Sequence, residues 1–338
     1  MIMFSHHKIT YSEIASYVLI AVALFVILTH GLLVALLAGL LVHSLVVMLS
    51  PKLDEQVGRG RARLVSVSVI GTLIITALTL AVWGAVSFFQ SEAGSAHALL
   101  QKMADIVDAS REQCPQWVCS HLPGNAEELR ALITNWMREH AQEAKSLSTD
   151  VGHTVVRILL GMIIGAMISL HTLSKAPLAP LASALLDRAK TLSRAFKKVV
   201  FAQVRISAVN TLATGMYVLV VLPLFDVNLP MAKSLVVITF MVGLLPIVGN
   251  LISNTIIVIV ALPFGFSVAI GSLVFLIVLH KLEYFLNAKI IGTQIQARAW
   301  ELLIAMLVME SIFGIAGVVA APIFYAYSKQ ELINRHLI

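Results

Sequence analysis

Residues 14 to 49 form an apolar stretch of 36 residues, interrupted only by Thr29-His30-Gly31 and His43-Ser44. As one helix it would be about 54 Å long, against a hydrocarbon core of about 30 Å. A hairpin of two short spans turning at His30-Gly31 fits a bilayer better. Lys8 ahead of this run resembles the start of a secretory signal. No small-residue cleavage site follows, so both spans are expected to be retained. Composition points the same way: 59% of the 338 residues are hydrophobic and 12% charged, with a mean hydropathy of +0.91. Soluble domains carry about a quarter charged residues. So few charges could not solvate the surface of a soluble enzyme, and the hydrophobic content excludes a disordered chain.

Further spans are expected over residues 64–90, 154–173 (with Arg157 near one interface) and 203–225 (carrying Asn210 and Thr211), with a shorter apolar segment at 266–280. Two stretches differ. Residues 234–262 carry Pro246 and Gly249 at their middle, and 300–328 are broken at Gly314-Ile315-Ala316-Gly317. Proline removes a backbone donor, and glycine permits a reversal. Each half is roughly 16 to 21 Å of helix, too short to cross alone. Re-entrant hairpins and kinked full spans both remain open. Irregular backbone at membrane depth is tolerated where protein buries it or a cavity is lined by it. Paired interrupted helices also point to a transporter's substrate path.

Loop charge sets orientation. The 51–63 loop is basic, and 174–205 holds seven basic residues against Asp187, whereas 91–153 holds five basic and nine acidic ones. The positive-inside rule makes both termini cytoplasmic and residues 91–153 external. Hairpins are favoured over full spans because they leave Lys281, Lys289 and Arg298 on the cytoplasmic side. The formal charge of +6 thus describes orientation rather than a nucleic-acid partner.

The external insert has two runs of helical periodicity, the second opened by Asn125 and Glu128 in capping-box spacing. Cys114 and Cys119 lie in its connector, where an oxidising periplasm permits a disulfide; zinc held with His121 would lack a fourth ligand. Residues 181–200 carry an apolar stripe of Leu181, Leu185, Ala189, Leu192, Phe196 and Val199. Such a helix lies on the cytoplasmic leaflet or packs on neighbouring protein. The domain reading is a three-span region at 1–90, an external insert at 91–153 and a transport region at 154–338.

The last hundred residues carry a resemblance. Gly243-Leu-Leu-Pro246-Ile-Val-Gly249-Asn250 resembles the Ile-Pro-Tyr-x-Gly-Pro signature of the bacterial autoinducer-2 exporter family. Asn287-Ala288-Lys289-Ile290-Ile291-Gly292 resembles its Glu-Pro-Arg-Ile-Leu-Gly stretch, and Gly314-Ile-Ala-Gly317-Val-Val-Ala-Ala321-Pro322 its terminal Gly-x-x-Gly…Ala-x-Pro pattern. Asn250 and Ala288 depart from family prolines, and Ala297-Arg298-Ala299-Trp300 stands near a usual His-Pro. The resemblance implies either export of a small polar signal or sodium(lithium)/proton antiport. It also implies homo-oligomers, pentamers among them, with the broken helices in a mobile transport region.

Glu310 lies inside an apolar run close to the second break. An intramembrane carboxylate normally faces a cavity or a partner. It is weighed as a proton or cation carrier against a merely solvated group at a hairpin tip. Asn250 and Asn254 follow the first break at helical spacing: Asn250 reads as a cap and Asn254 as a solute contact. Asn210 reads first as interhelical glue. His30, His43, His171 and His280 show no metal-ligand spacing, and no nucleotide-binding loop is present.

The expectation is an all-α polytopic integral membrane protein with about six full spans and two re-entrant hairpins. It would be a bacterial inner-membrane secondary transporter rather than an enzyme, with no cofactor. Its partners would be a small polar solute or a monovalent cation or proton, the lipid bilayer and other copies of itself. A membrane scaffold is the third reading.

Overall fold

The computed structural model describes residues 10–57, 61–90, 128, 131, 135, 141–171, 177–229, 231–244, 248–261, 264–295, 297–335 and 337. Every regular element among them is a helix. The side chains are distributed inside out for a water-soluble protein. Ser16, Ser66 and Ser272 are fully buried, while Leu73, Met167 and Leu212 are 65 to 74% exposed. Apolar side chains that face lipid need no protein cover, whereas polar ones need hydrogen-bond partners inside.

Helix α1 is Tyr11–Thr29 and α2 is Leu33–Val57. The Thr10 N–H donates to Glu13 Oε2 at 3.1 Å, so the α1 N-terminus closes on its own carboxylate. The reversal falls at Gly31, whose φ of +65° suits glycine. The expected first hairpin therefore forms where the sequence placed it. Helix α3 is Ala62–Gln90, close to the expected third span. Helix α4 is Ala141–Leu170, beginning earlier than the expected 154.

Residues 181–200 and the expected fifth span are one uninterrupted structure rather than two helices. Helix α5 is Pro180–Met216, continued by a π-helical stretch Tyr217–Val221 and a last turn Leu222–Leu224. No glycine or proline lies between Pro180 and Gly215 to stop propagation. Pro223 removes a donor four residues beyond Leu219, which accounts for the local widening to π geometry. The 181–200 part packs on protein. Ala184, Leu192, Ala195, Phe196 and Val199 are buried, several of them with Ile323, Ala326 and Tyr327.

The first broken segment gives α6, Ala232–Gly243, and α7, Val248–Ala261. Helix α8, Phe266–Ile295, runs well past the expected 280. The second broken segment gives α9, Ala299–Phe313, and α10, Ile315–Asn334. Four helical stretches among the described residues are long and apolar enough to cross a membrane: Tyr11–Thr29, Leu33–Leu53, Gly152–Leu170 and Pro180–Leu224.

The chain groups into two compact units, each drawn from separated segments. The first comprises residues 1–72, 153–201 and 290–338; the second comprises 73–152 and 202–289. In the first, α2 and α4 touch backbone to backbone. A Cβ on Gly161 would fall on the Ala35 carbonyl, and one on Gly165 on the Gly39 carbonyl. The two helices run parallel, and their register is tied at both ends. Arg157 Nη1 donates to the Gly31 carbonyl at 3.2 Å, and His43 Nδ1 lies 3.0 Å from Ser169 Oγ. Ser169 gives its one proton to the Gly165 carbonyl at 2.7 Å, so His43 is the donor of that pair.

The first unit also holds a buried ion pair between Arg188 of α5 and Glu331 of α10. The Tyr17 hydroxyl donates to Glu331 Oε2 at 3.2 Å, and the Arg188 guanidinium lies 4.3 Å from the centre of the Tyr17 ring. Arg335 donates to the Tyr17 hydroxyl at 3.2 Å and to Glu13 Oε1 at 2.6 Å. The Glu13 carboxylate, followed by the Tyr17 hydroxyl, holds the Arg335 proton more firmly than usual.

Candidate functional site

Both broken segments fold back on themselves. In α9–α10 the tip is Gly314, with φ +61° and ψ −144°, a region open almost only to glycine. Gly317 faces the preceding helix so closely that a Cβ would strike the Met309 carbonyl. At the open end, Tyr325 and Lys329 each donate to Glu301 Oε2 at 2.5 Å. Contacts at both ends make the pair antiparallel.

The α6–α7 hairpin uses the same device. A Cβ on Gly249 would strike the Val242 carbonyl. Deeper in, Thr239 donates to the Leu235 carbonyl at 2.8 Å and accepts from Ser253, also at 2.8 Å. The last carbonyls of α6 have no intrahelical partner once the helix stops. Two α5 side chains supply one: Gln203 Nε2 donates to the Gly243 carbonyl at 2.9 Å and Ser207 Oγ to the Phe240 carbonyl at 2.8 Å. These carbonyls are therefore not free to bind a solute, contrary to what an interrupted helix alone would suggest.

Beside this hairpin lies a cavity of about 480 Å³ between α7 and α8. Asn254, Thr255 and His280 are its polar lining, and Val258, Ile259 and Leu276 contribute to its apolar wall. Asn254 is half-buried there. It offers both a donor and an acceptor to whatever enters.

The sequence-derived residues divide accordingly. Gly249, Asn254 and Asn210 belong to the second unit, and Glu310, Gly314 and Gly317 to the first. Asn210 is buried on the same face of α5 as Gln203, Ser207 and Thr214, a position that suits interhelical contact. Asn250 is helical, within the first turn of α7. Glu310 is exposed near the α9–α10 tip, and its backbone carbonyl accepts the Gly314 N–H at 2.7 Å. Pro246, Cys114, Cys119 and most of the 91–153 insert lie outside the described residues.

A model of a protein family described as AI-2E family transporter matches residues 14–334, nearly the whole chain. The chain belongs to the AI-2E transporter family. It is thus a membrane transporter, and its long apolar helices fit a multi-pass membrane protein. No curated protein and no solved structure matches it. Within this AI-2E family transporter, Gly249, Gly314 and Gly317 fall at the turn and close-approach positions of two hairpins. Among the described residues no group of His, Cys, Asp and Glu is arranged to hold a metal ion.

Reading from sequence missed Gln203, Ser207 and the Gly161/Gly165 crossing. The signals were present. Gln203, Ser207, Asn210 and Thr214 recur at helical spacing in an apolar span, and Gly161-Met-Ile-Ile-Gly165 is a small-xxx-small motif.

Proposed function

We propose that this AI-2E family transporter exports a small polar organic solute across the bacterial inner membrane by movement of its broken-helix hairpins. Asn254 carries the proposal: it sits on the second half of a broken helix and lines a cavity of about 480 Å³. Small-molecule sites occupy about 300 to 1,000 Å³ and combine apolar walls with a few convergent polar groups. Asn254, Thr255 and His280 fit that description. Both termini face the cytoplasm and residues 91–153 the periplasm, with α6–α7 and α9–α10 re-entrant. The protein acts as a homo-oligomer.

The test compares exported metabolites in cells with the protein, without it and with Asn254→Ala at equal membrane abundance. A solute that accumulates outside only with the wild-type protein, and falls at least about tenfold in the variant, is the expected result; an unchanged profile defeats the proposal. Single cysteines replacing Phe285 and Arg298 should be labelled only from the cytoplasm.

A second reading is sodium(lithium)/proton antiport. It draws on Glu310, a carboxylate exposed beside Ser311 in the mainly apolar run Leu302–Phe313. Sodium-dependent proton movement in vesicles should vanish in Glu310→Gln; movement that survives removes Glu310 as the carrier.

A further inference from the structure

In the first unit, α2 and α4, with contributions from α3 and α5, form a groove of about 1080 Å³. It follows α2 from Leu32 to Pro51. Nineteen steps of helix make that path about 28 Å long, close to the thickness of one hydrocarbon core. Its wall is mostly aliphatic, including Leu36, Leu40, Leu160, Ile164 and Ile168. Leu160, Ile164 and Ile168 are more than half exposed, so the groove opens sideways rather than being sealed by protein.

Charge is confined to the groove's ends. The Gly31–Arg157 contact marks one end, where the guanidinium is engaged by a backbone carbonyl. At the other, Arg63 and Lys190 line the cavity together with Ser50 and Pro51. Ser50 Oγ bonds to Ser66 Oγ at 3.3 Å, which holds the start of α3, and so Arg63, at this end. Lys190 also meets Asp187 at 3.4 Å, but both side chains are more than half exposed and the pair is weak. No acidic side chain lines the groove among the described residues.

An aliphatic groove with two cations at one mouth matches an anionic amphiphile anchored by its phosphate, its acyl chains lying in the half of the groove next to that mouth, about one leaflet deep. We infer that this groove binds an anionic glycerophospholipid, acyl chains along α2 and α4 and phosphodiester at Arg63 and Lys190. A small polar solute would leave the aliphatic wall unmatched. Free phosphate would use only the mouth. A second protein copy would leave the two cations at that mouth without the anion that the lipid supplies. The site is separate from the Asn254 cavity and does not depend on which solute that cavity takes.

The test is native mass spectrometry of the full chain released from nanodiscs containing equal dioleoylphosphatidylglycerol and dioleoylphosphatidylcholine. The wild type should retain the anionic lipid over the zwitterionic one by about tenfold or more, since each basic group near the headgroups favours the anion. Arg63→Gln with Lys190→Gln should bring the two lipids to parity without loss of folding, because both side chains lie at the open mouth. Ala189→Trp, which fills the groove from the α5 side, should reduce retention of both. Equal retention by the wild type, or a preference unchanged in both variants, overturns the inference. Loss of oligomer mass in Ala189→Trp with lipid retention intact also overturns it, and assigns the groove to a second copy.

Discussion

Gln203 on α5 donates to the carbonyl of Gly243, the last residue of α6, at 2.9 Å. This bond answers a question that every interrupted membrane helix raises: what accepts or donates where the ladder stops. In lipid no water does it, so another helix must. Gln203→Leu should leave the Gly243 carbonyl buried without its donor and cost about 1 to 3 kcal/mol. Gln203→Glu, which keeps the shape but loses the donor when ionised, should be at least as damaging. Thermal unfolding in detergent, compared with exposed Lys197→Gln as a control, measures the difference.

The two hairpin glycines should respond alike. A Cβ on Gly249 or Gly317 meets a carbonyl of the preceding helix, so Gly249→Ala and Gly317→Ala should each cost about 1 to 3 kcal/mol by overpacking. Gly271 has open space around its Cβ position, and there alanine should stabilise by up to about 1 kcal/mol through helix propensity. Opposite signs in unfolding temperature are the expected outcome; equal small effects would defeat the close-approach argument.

Gly314 separates shape from space. Nothing lies near its Cβ position, yet its φ is +61° with ψ −144°. Gly314→Ala should therefore cost about 1 to 3 kcal/mol from backbone strain alone. The same substitution at Gly71, which also has open space but lies within helix α3, should not. Proteolysis rates at the α9–α10 turn provide the readout.

The Arg188–Glu331 pair is buried, and Arg188 Nε and Glu331 Oε1 have no hydrogen-bond partner among the described residues. Removing one partner from such a pair typically costs about 3 to 5 kcal/mol, whereas replacing both with apolar residues is often neutral or better. Arg188→Met and Glu331→Leu should each destabilise, and the double variant should recover most of the loss. A double-mutant cycle on unfolding temperature checks the coupling.

Much of the architecture was legible in the chain. The first hairpin turns at Gly31, where glycine takes a left-handed φ of +65° at no steric cost and follows the polar pair Thr29-His30. Both broken helices stop where proline or glycine was seen to interrupt them. The extent of α5 was harder to read, because the charge cluster before Phe201 resembles an interfacial helix. Only the absence of a breaker between Pro180 and Gly215 told otherwise. Asn254 was singled out by its distance from the break, and it does line a cavity. Gln203 was passed over because one polar residue in a span has no visible partner in one dimension.

Sequence by itself determined that this chain lives in a bilayer, where it must reverse and which of its segments are too short to cross. Those follow from local quantities: hydrophobicity per length, backbone freedom and charge beside each span. Tertiary structure alone decided which helix completes the broken ones, which glycines are contact points rather than hinges, and which polar residues face a cavity. Each of those depends on residues far apart in the chain, such as Gln203 and Gly243 or Ala35 and Gly161. Their partnership is created by packing, and no periodicity within either segment encodes it.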